Sequence, residues 1–248
     1  MIDIVMLAIV RPKIVERTLT AARKYLFNDD LLESFRLIVE VGAIGEKGCS
    51  VVEIESLCKA YFTNVICHMT DELSIPKAYK RGMRKATSDL VFYLEDDYEL
   101  LRTVNLNAMI QLHRKYADLA ILRLPTLPDP DGETRKEGSS RFKFNGEFFE
   151  CPADKKALKG YQGHPSLIKR NYIRAMLPFI DNKLNPEKQL QQPSTKKHET
   201  EVDKWRYGVF QTPNETAAVD HVGADWAAEN GFVRTESARE FINYENNF

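Results

Sequence analysis

Along the first hundred residues the apolar positions alternate between two periods. Ile2–Val10 is an apolar run broken only by Asp3, as expected of a strand covered on both faces. Pro12 suits the first turn of a helix, where its missing N–H costs nothing. Ile14, Val15, Leu19, Ala22 and Leu26 then recur at helical spacing. Phe35–Val41 reads as a second strand ending at Gly42, followed by a glycine-rich loop through Gly48. A helix from about Cys49 to Tyr61 and a short strand, Val65–His68, come next. Ser74-Ile75-Pro76 opens a further helix, with Ile75, Tyr79, Met83 and Ala86 as its apolar stripe and Lys77, Lys80, Arg81, Arg84 and Lys85 around it. Asp89–Leu94 forms a fourth strand that runs into Glu95-Asp96-Asp97. This order predicts an α/β fold with a doubly wound, mainly parallel central sheet and helices on both faces. Ligands of such sheets bind beyond the carboxyl ends of the strands, where the acidic triplet falls.

Past Leu100 the pattern loosens. It predicts a helix near Val104–Tyr116, a strand at Leu119–Leu124 and a loop over Pro125–Gly138. Arg141–Phe144 and Glu147–Glu150 flank Asn145-Gly146 as a hairpin would. Ile180–His198 is polar, holds two prolines and reads as a mobile connection. The chain thus divides near residue 102, into a regular half (1–102) and a less regular one (103–248).

Composition narrows the function without naming it. The 248 residues carry 35 basic and 36 acidic side chains, a net charge of −1. That balance gives no general reason to bind nucleic acid or an anionic membrane. The opening apolar run is about half the ~20 residues that span a bilayer, and it lacks a basic leader. Cys49, Cys58, Cys67 and Cys151 form no C-x-x-C pair and have no nearby His-x-x-x-His. Reduced thiols in a soluble, cytoplasmic protein are expected.

Glu95-Asp96-Asp97 is the sharpest feature. Three adjacent carboxylates after a buried strand repel one another, and a hard divalent cation relieves that repulsion. On an extended chain Glu95 and Asp97 share one side and Asp96 turns to the other. A solvated acidic turn is the plainer reading of the same residues.

The block from Ser74 to Asp97, a basic helix with an Arg81-Gly82 step leading into a strand and an acidic motif, resembles the centre of GT-A glycosyltransferases. It resembles especially the family 2-like group with its DxD-type motif. Ile9-Val10-Arg11-Pro12 and Arg17-Thr18-Leu19 resemble that family's first strand and helix. The resemblance implies the GT-A fold, with residues 1–102 holding a nucleotide-sugar donor and residues 103–248 an acceptor. It implies Mn²⁺ or Mg²⁺ and a nucleotide-diphosphate sugar, a UDP-sugar being favoured, whose sugar passes to an acceptor hydroxyl. Asp97 becomes the principal metal ligand. Glu95 lies near the ribose or the metal, and Arg11, Arg81 and Asp96 belong to the donor site. Glu40 stands where the family commonly has an Asp near the base. His221, late in the chain before Gly223, resembles the histidine that completes the metal or diphosphate site; a structural histidine is the simpler alternative. Gly160–Arg170, including His164, resembles the segment lining the acceptor. Glu199 and Glu201 resemble in position the catalytic base of an inverting transfer, though both also suit a helix first turn. The acceptor is left open among a glycan, a lipid-linked sugar, a protein and a modified nucleobase. A nucleotidyltransferase, which would need a glycine-rich phosphate loop after the first strand, and a non-catalytic nucleotide-sugar-binding module are the competing readings.

Overall fold

In the computed structural model the described residues are 1–27, 34–70, 74–126, 142–152, 163–223, 226 and 229. The elements follow the order β1 (Ile2–Val10), α1 (Pro12–Tyr25), β2 (Phe35–Gly45), α2 (Val51–Tyr61), β3 (Val65–Thr70), α3 (Ile75–Lys85), β4 (Leu90–Glu95), β5 (Tyr98–Leu100), α4 (Leu106–Lys115) and β6 (Leu119–Arg123). They continue with β7 (Lys143–Phe144), β8 (Phe149–Glu150), β9 (Ser166–Lys169), α5 (Arg170–Met176), α6 (Pro186–Gln191), α7 (Lys196–Val202), β10 (Arg206–Val209) and β11 (Val219–His221).

One nine-stranded sheet runs through both halves of the chain, in the order β3-β2-β1-β4-β9-β6-β10-β8-β7. β1 is parallel to β2 and β4, and β2 to β3, as the sequence predicts. β9 enters antiparallel between β4 and β6. A separate ribbon pairs β5 with β11. Alternate residues of β1 and β4 feed two cores. Ile4, Met6, Phe92 and Leu94 pack with Val15, Leu19, Ile54 and Met109 under α1, α2 and α4. Val5, Val91 and Tyr93 pack with Tyr79, Met83, Tyr172, Leu190 and Val202 under α3, α5, α6 and α7. Helices therefore cover both faces, which is why β1 is apolar throughout. Its single acid, Asp3, is fully buried, held by Arg36 and by the backbone N–H groups of Thr87 and Ser88.

Three sequence expectations change. β2 runs on to Gly45, because β1 bulges at Ile9/Val10 and pairs Val10 with Gly45. A Cβ at Gly45 would lie 1.8 Å from the Val10 carbonyl oxygen, so only glycine fits there. Ile180–His198 is not a plain connection: it contains α6, capped by Asn185, and the start of α7, capped by Thr195. Each of these short helices buries very few apolar residues, too few to show a helical period. Asp96 and Asp97 do not continue the strand but form the turn between β4 and β5. The hairpin at Asn145-Gly146 is present as β7 and β8, with Gly146 at φ 98°. The loop expected over Pro125–Gly138 lies outside the described residues from 127 onward, as do Arg141 and Gly160–Gln162. All four cysteines are free, and no helix of the described residues is long and apolar enough to cross a membrane.

Candidate active site

The strand order reverses at β1, with β2 on one side and β4 on the other, so the crevice of the sheet opens at their carboxyl ends. Asp96 fastens that point. Its N–H donates to the Leu7 carbonyl at 3.0 Å, and its Oδ2 accepts from Ile9 N–H at 3.0 Å and Arg11 Nε at 2.9 Å. Its carbonyl accepts from Thr18 Oγ1 at 2.7 Å. The Asp96 side chain thus faces inward and locks the end of β4 to the β1–α1 junction. Arg11 extends from this lock to Asp97, Nη2 to Oδ2 at 2.8 Å. Burial works against the guanidinium charge, but Asp96 and Asp97 outweigh it and raise the Arg11 pKa. Trp226 covers the other side: the guanidinium lies 5.1 Å from its ring centroid, and its Nε1 donates to Glu46 at 2.7 Å.

Asp97 is set by the small ribbon. β11 places His221 opposite Tyr98, and the two rings stack at 4.9 Å. His221 Nε2 lies 3.1 Å from Asp97 Oδ2, and Val222 N–H donates to the Asp97 carbonyl at 2.9 Å. Burial pushes the Asp97 pKa up, yet His221 and Arg11 together bring it below the ordinary value. The same bond raises the His221 pKa against its own burial. A Cβ at Gly223 would fall 2.1 Å from Asp97 Oδ2, so the backbone can come this close only without a side chain. Asp97 is 8% exposed, and its Oδ1 is buried without a hydrogen-bond partner. A buried carboxylate oxygen left in that state is costly unless a cation meets it.

Glu95, the last residue of β4, faces the second core. It accepts from the Tyr93 hydroxyl at 2.6 Å. Burial and the charge of Asp97 push its pKa up to about 8. Across Gly163 stands Glu187 of α6: a Cβ on that glycine would lie 3.6 Å from Glu187 Oε2 and 3.7 Å from Glu95 Oε1. Next to Gly163, His164 is pushed down to about 3 by burial, with Arg123 and His221 adding to the effect.

Glu40 and Arg81 meet each other. Glu40 is 1% exposed, accepts from Arg81 Nε and from Lys85 Nζ at 3.2 Å, and has His68 Nδ1 3.2 Å away. It shares a row of the sheet with Glu95, since both pair in register with Leu7. Two strand spacings put the two backbones about 10 Å apart on that face. Glu199 and Glu201 both lie on α7, which packs against α5. Glu201 accepts from Lys204 Nζ at 2.6 Å and Trp205 Nε1 at 3.4 Å, and Lys204 lowers its pKa.

The structure thus gathers Arg11, Glu95, Asp96, Asp97 and His221 at one point, and pairs Glu40 with Arg81 beside it. Among the described residues no group of three or more His, Cys, Asp or Glu is arranged to hold a metal ion. Asp97 and His221 offer two protein ligands, and the orphan Oδ1 suits a hard cation. Mg²⁺ and similar ions are commonly held by one or two side chains and completed by substrate phosphates. Sequence reasoning missed Tyr98, Glu187 and the closeness of Gly223 to Asp97. An aromatic right after the triplet was a usable signal for Tyr98. Glu187 carried none.

No protein-family model and no curated protein matches the sequence. Solved structures do match in shape. They include residues 1–349 of TarS from S. aureus (TM-score 0.57, 10% identity, 92% of this chain and 63% of that one), which is also solved with UDP-GlcNAc. A mannosyltransferase of Pyrobaculum calidifontis in complex with GDP-Man and Mn²⁺ matches at TM-score 0.60 and 13% identity, over 89% of this chain and 56% of that one. GalNAc-T7 with UDP, GalNAc and Mn²⁺ matches at 0.55 and 13%, over 88% and 42%. The chain spans 41–63% of the length of TarS structures it matches. At this identity the likeness is one of fold, and the fold is GT-A.

Proposed function

We propose that this GT-A chain is a metal-dependent glycosyltransferase, moving a sugar from a nucleotide-diphosphate donor to an acceptor hydroxyl with inversion. The observation that carries the reading is Asp97, buried at the sheet's switch point beside His221, with one oxygen unpartnered. A carboxylate and an imidazole there suit Mn²⁺ or Mg²⁺, and Mn²⁺ accompanies a nucleotide or nucleotide sugar in two of the structural neighbours. When bound, the ion supplies positive charge for the departing nucleoside diphosphate.

The chain's own residues do the rest. Asp96 fixes Arg11, so that a permanent cation stands beside Asp97 on the diphosphate side. Glu40 of β2 and Arg81 of α3, held as a pair, form the nucleoside side of the cleft, with a UDP-sugar the favoured donor. Glu95 lies between this pair and Gly163, on the sugar side. Residues 1–102 hold the donor, and residues 103–248 bring the acceptor through Gly163, His164 and the helices that follow. A carboxylate there takes the acceptor's proton as its oxygen attacks the anomeric carbon.

A panel of nucleotide sugars, assayed for release of the nucleoside diphosphate with and without Mn²⁺, tests the assignment. Wild-type protein is expected to consume at least one donor in a Mn²⁺-dependent manner. Asp97→Ala should abolish both turnover and Mn²⁺-dependent nucleotide binding; full activity in that variant refutes the reading.

A further inference from the structure

We infer that Glu187 is the base that deprotonates the acceptor. The inference rests on the transferase reading above and assigns a role within it. In the attack, the acceptor oxygen bonds to the anomeric carbon while the bond from that carbon to the diphosphate oxygen breaks. The electron pair leaves with the nucleoside diphosphate, and the hydroxyl proton passes to a carboxylate oxygen. In-line displacement places that carboxylate on the acceptor side of the sugar, opposite the diphosphate.

Glu187 meets these demands by position. It sits on α6, whose Asn185 cap accepts from the Glu187 N–H at 2.8 Å and whose Leu190 is fully buried in the second core. Gln191 Nε2 donates to Glu187 Oε1 at 3.0 Å, which orients the carboxylate. The other oxygen, Oε2, looks across Gly163 towards Glu95. Residue 163 has no side chain, and a Cβ there would stand in ordinary van der Waals contact with both carboxylates, within the segment that resembles the acceptor-lining stretch. Both glutamates are half-buried, but the Glu95 oxygen that faces Gly163 is bound by the Tyr93 hydroxyl. Glu201, by contrast, has one oxygen taken by Lys204 and the other by Trp205. A carboxylate so occupied is a poor proton acceptor.

The test compares wild type, Glu187→Gln and Glu187→Asp in two assays. One is Mn²⁺-dependent UDP binding by calorimetry; the other is kcat and KM for hydrolysis of the donors the wild type consumes, with water in place of the acceptor. Glu187→Gln should lower kcat by roughly 100-fold or more while UDP affinity and donor KM stay within about twofold. Glu187→Asp, which keeps the carboxylate, should recover part of the loss. Wild-type kcat in Glu187→Gln overturns the assignment, as does a loss of UDP binding that parallels the loss of kcat. The same holds if Glu199→Gln or Glu201→Gln produces the kcat defect instead. A wild-type protein that neither binds UDP with Mn²⁺ nor consumes any donor would overturn the transferase reading itself. Turnover in wild type with an unimpaired Glu187→Gln removes only the role of Glu187.

Discussion

Gly223 shows how tightly single residues are fitted around Asp97. An alanine there would place its Cβ 2.1 Å from Oδ2 and 2.8 Å from the Asp97 Cβ, so either the β11 end or the carboxylate must move. Gly223→Ala is expected to weaken Mn²⁺-dependent UDP binding about tenfold or more, because displacement of a positioned group by about 1 Å carries a cost of that order. The same calorimetric titration checks it, and an unchanged affinity would show that the close approach is not needed. At this scale the sequence was partly readable. Asp97 and His221 stand out by residue type and order, and both lie where a strand end and a late ribbon bring them together. Glu187 did not stand out, because one carboxylate in a polar stretch looks like any solvated one until its neighbour is known.

Secondary-structure elements divide along similar lines. Where many apolar residues repeat, as in α1 or α3, the helix is legible from the chain alone. Where the signal is a cap, it is legible only in part. Ser50 accepts from the Glu53 N–H while Glu53 accepts from the Ser50 N–H, a capping box that starts α2 at Val51, two residues beyond the start that periodicity gives. Ser50→Ala should lower stability by about 1 kcal/mol, read as a shift in the urea midpoint with unchanged slope. α6 was not legible, and of α7 only the first turn that Glu199 suits. Fewer than two turns of helix, docked by Leu190 or by His198 and Val202, have no periodic pattern to detect.

Across the whole molecule, burial decides how stability depends on pH. His198 is 1% exposed, stacks on Phe179 at 4.5 Å and has neither ring nitrogen bonded. Burial lowers its pKa. His113 is pushed down to about 4 by burial and by Lys169, against two backbone carbonyls that favour its charge. In the unfolded chain both take up protons below about 6.5. Their contribution is therefore complete above that pH and is lost as pH falls through 6.5 towards the folded values. Glu95 acts in the opposite sense, losing stability as pH rises from 4.5 to about 8. A difference between variants separates the two effects. His198→Phe, which keeps the ring stack without a titrating group, should gain on wild type in melting temperature as pH is lowered from 7.5 to 5.5. A constant difference across that range would show that His198 does not titrate on unfolding.

The sequence by itself determined the alternation of strand and helix, the parallel four-stranded beginning of the sheet and the place of the acidic triplet at the carboxyl end of β4. These follow from local period and from residues adjacent in the chain. The tertiary structure decided which carboxylates share the cleft, that Asp96 locks Arg11, and that Glu187 rather than Glu201 looks towards Glu95. Such choices depend on contacts between residues far apart in sequence, and no local pattern of charge or hydrophobicity encodes them.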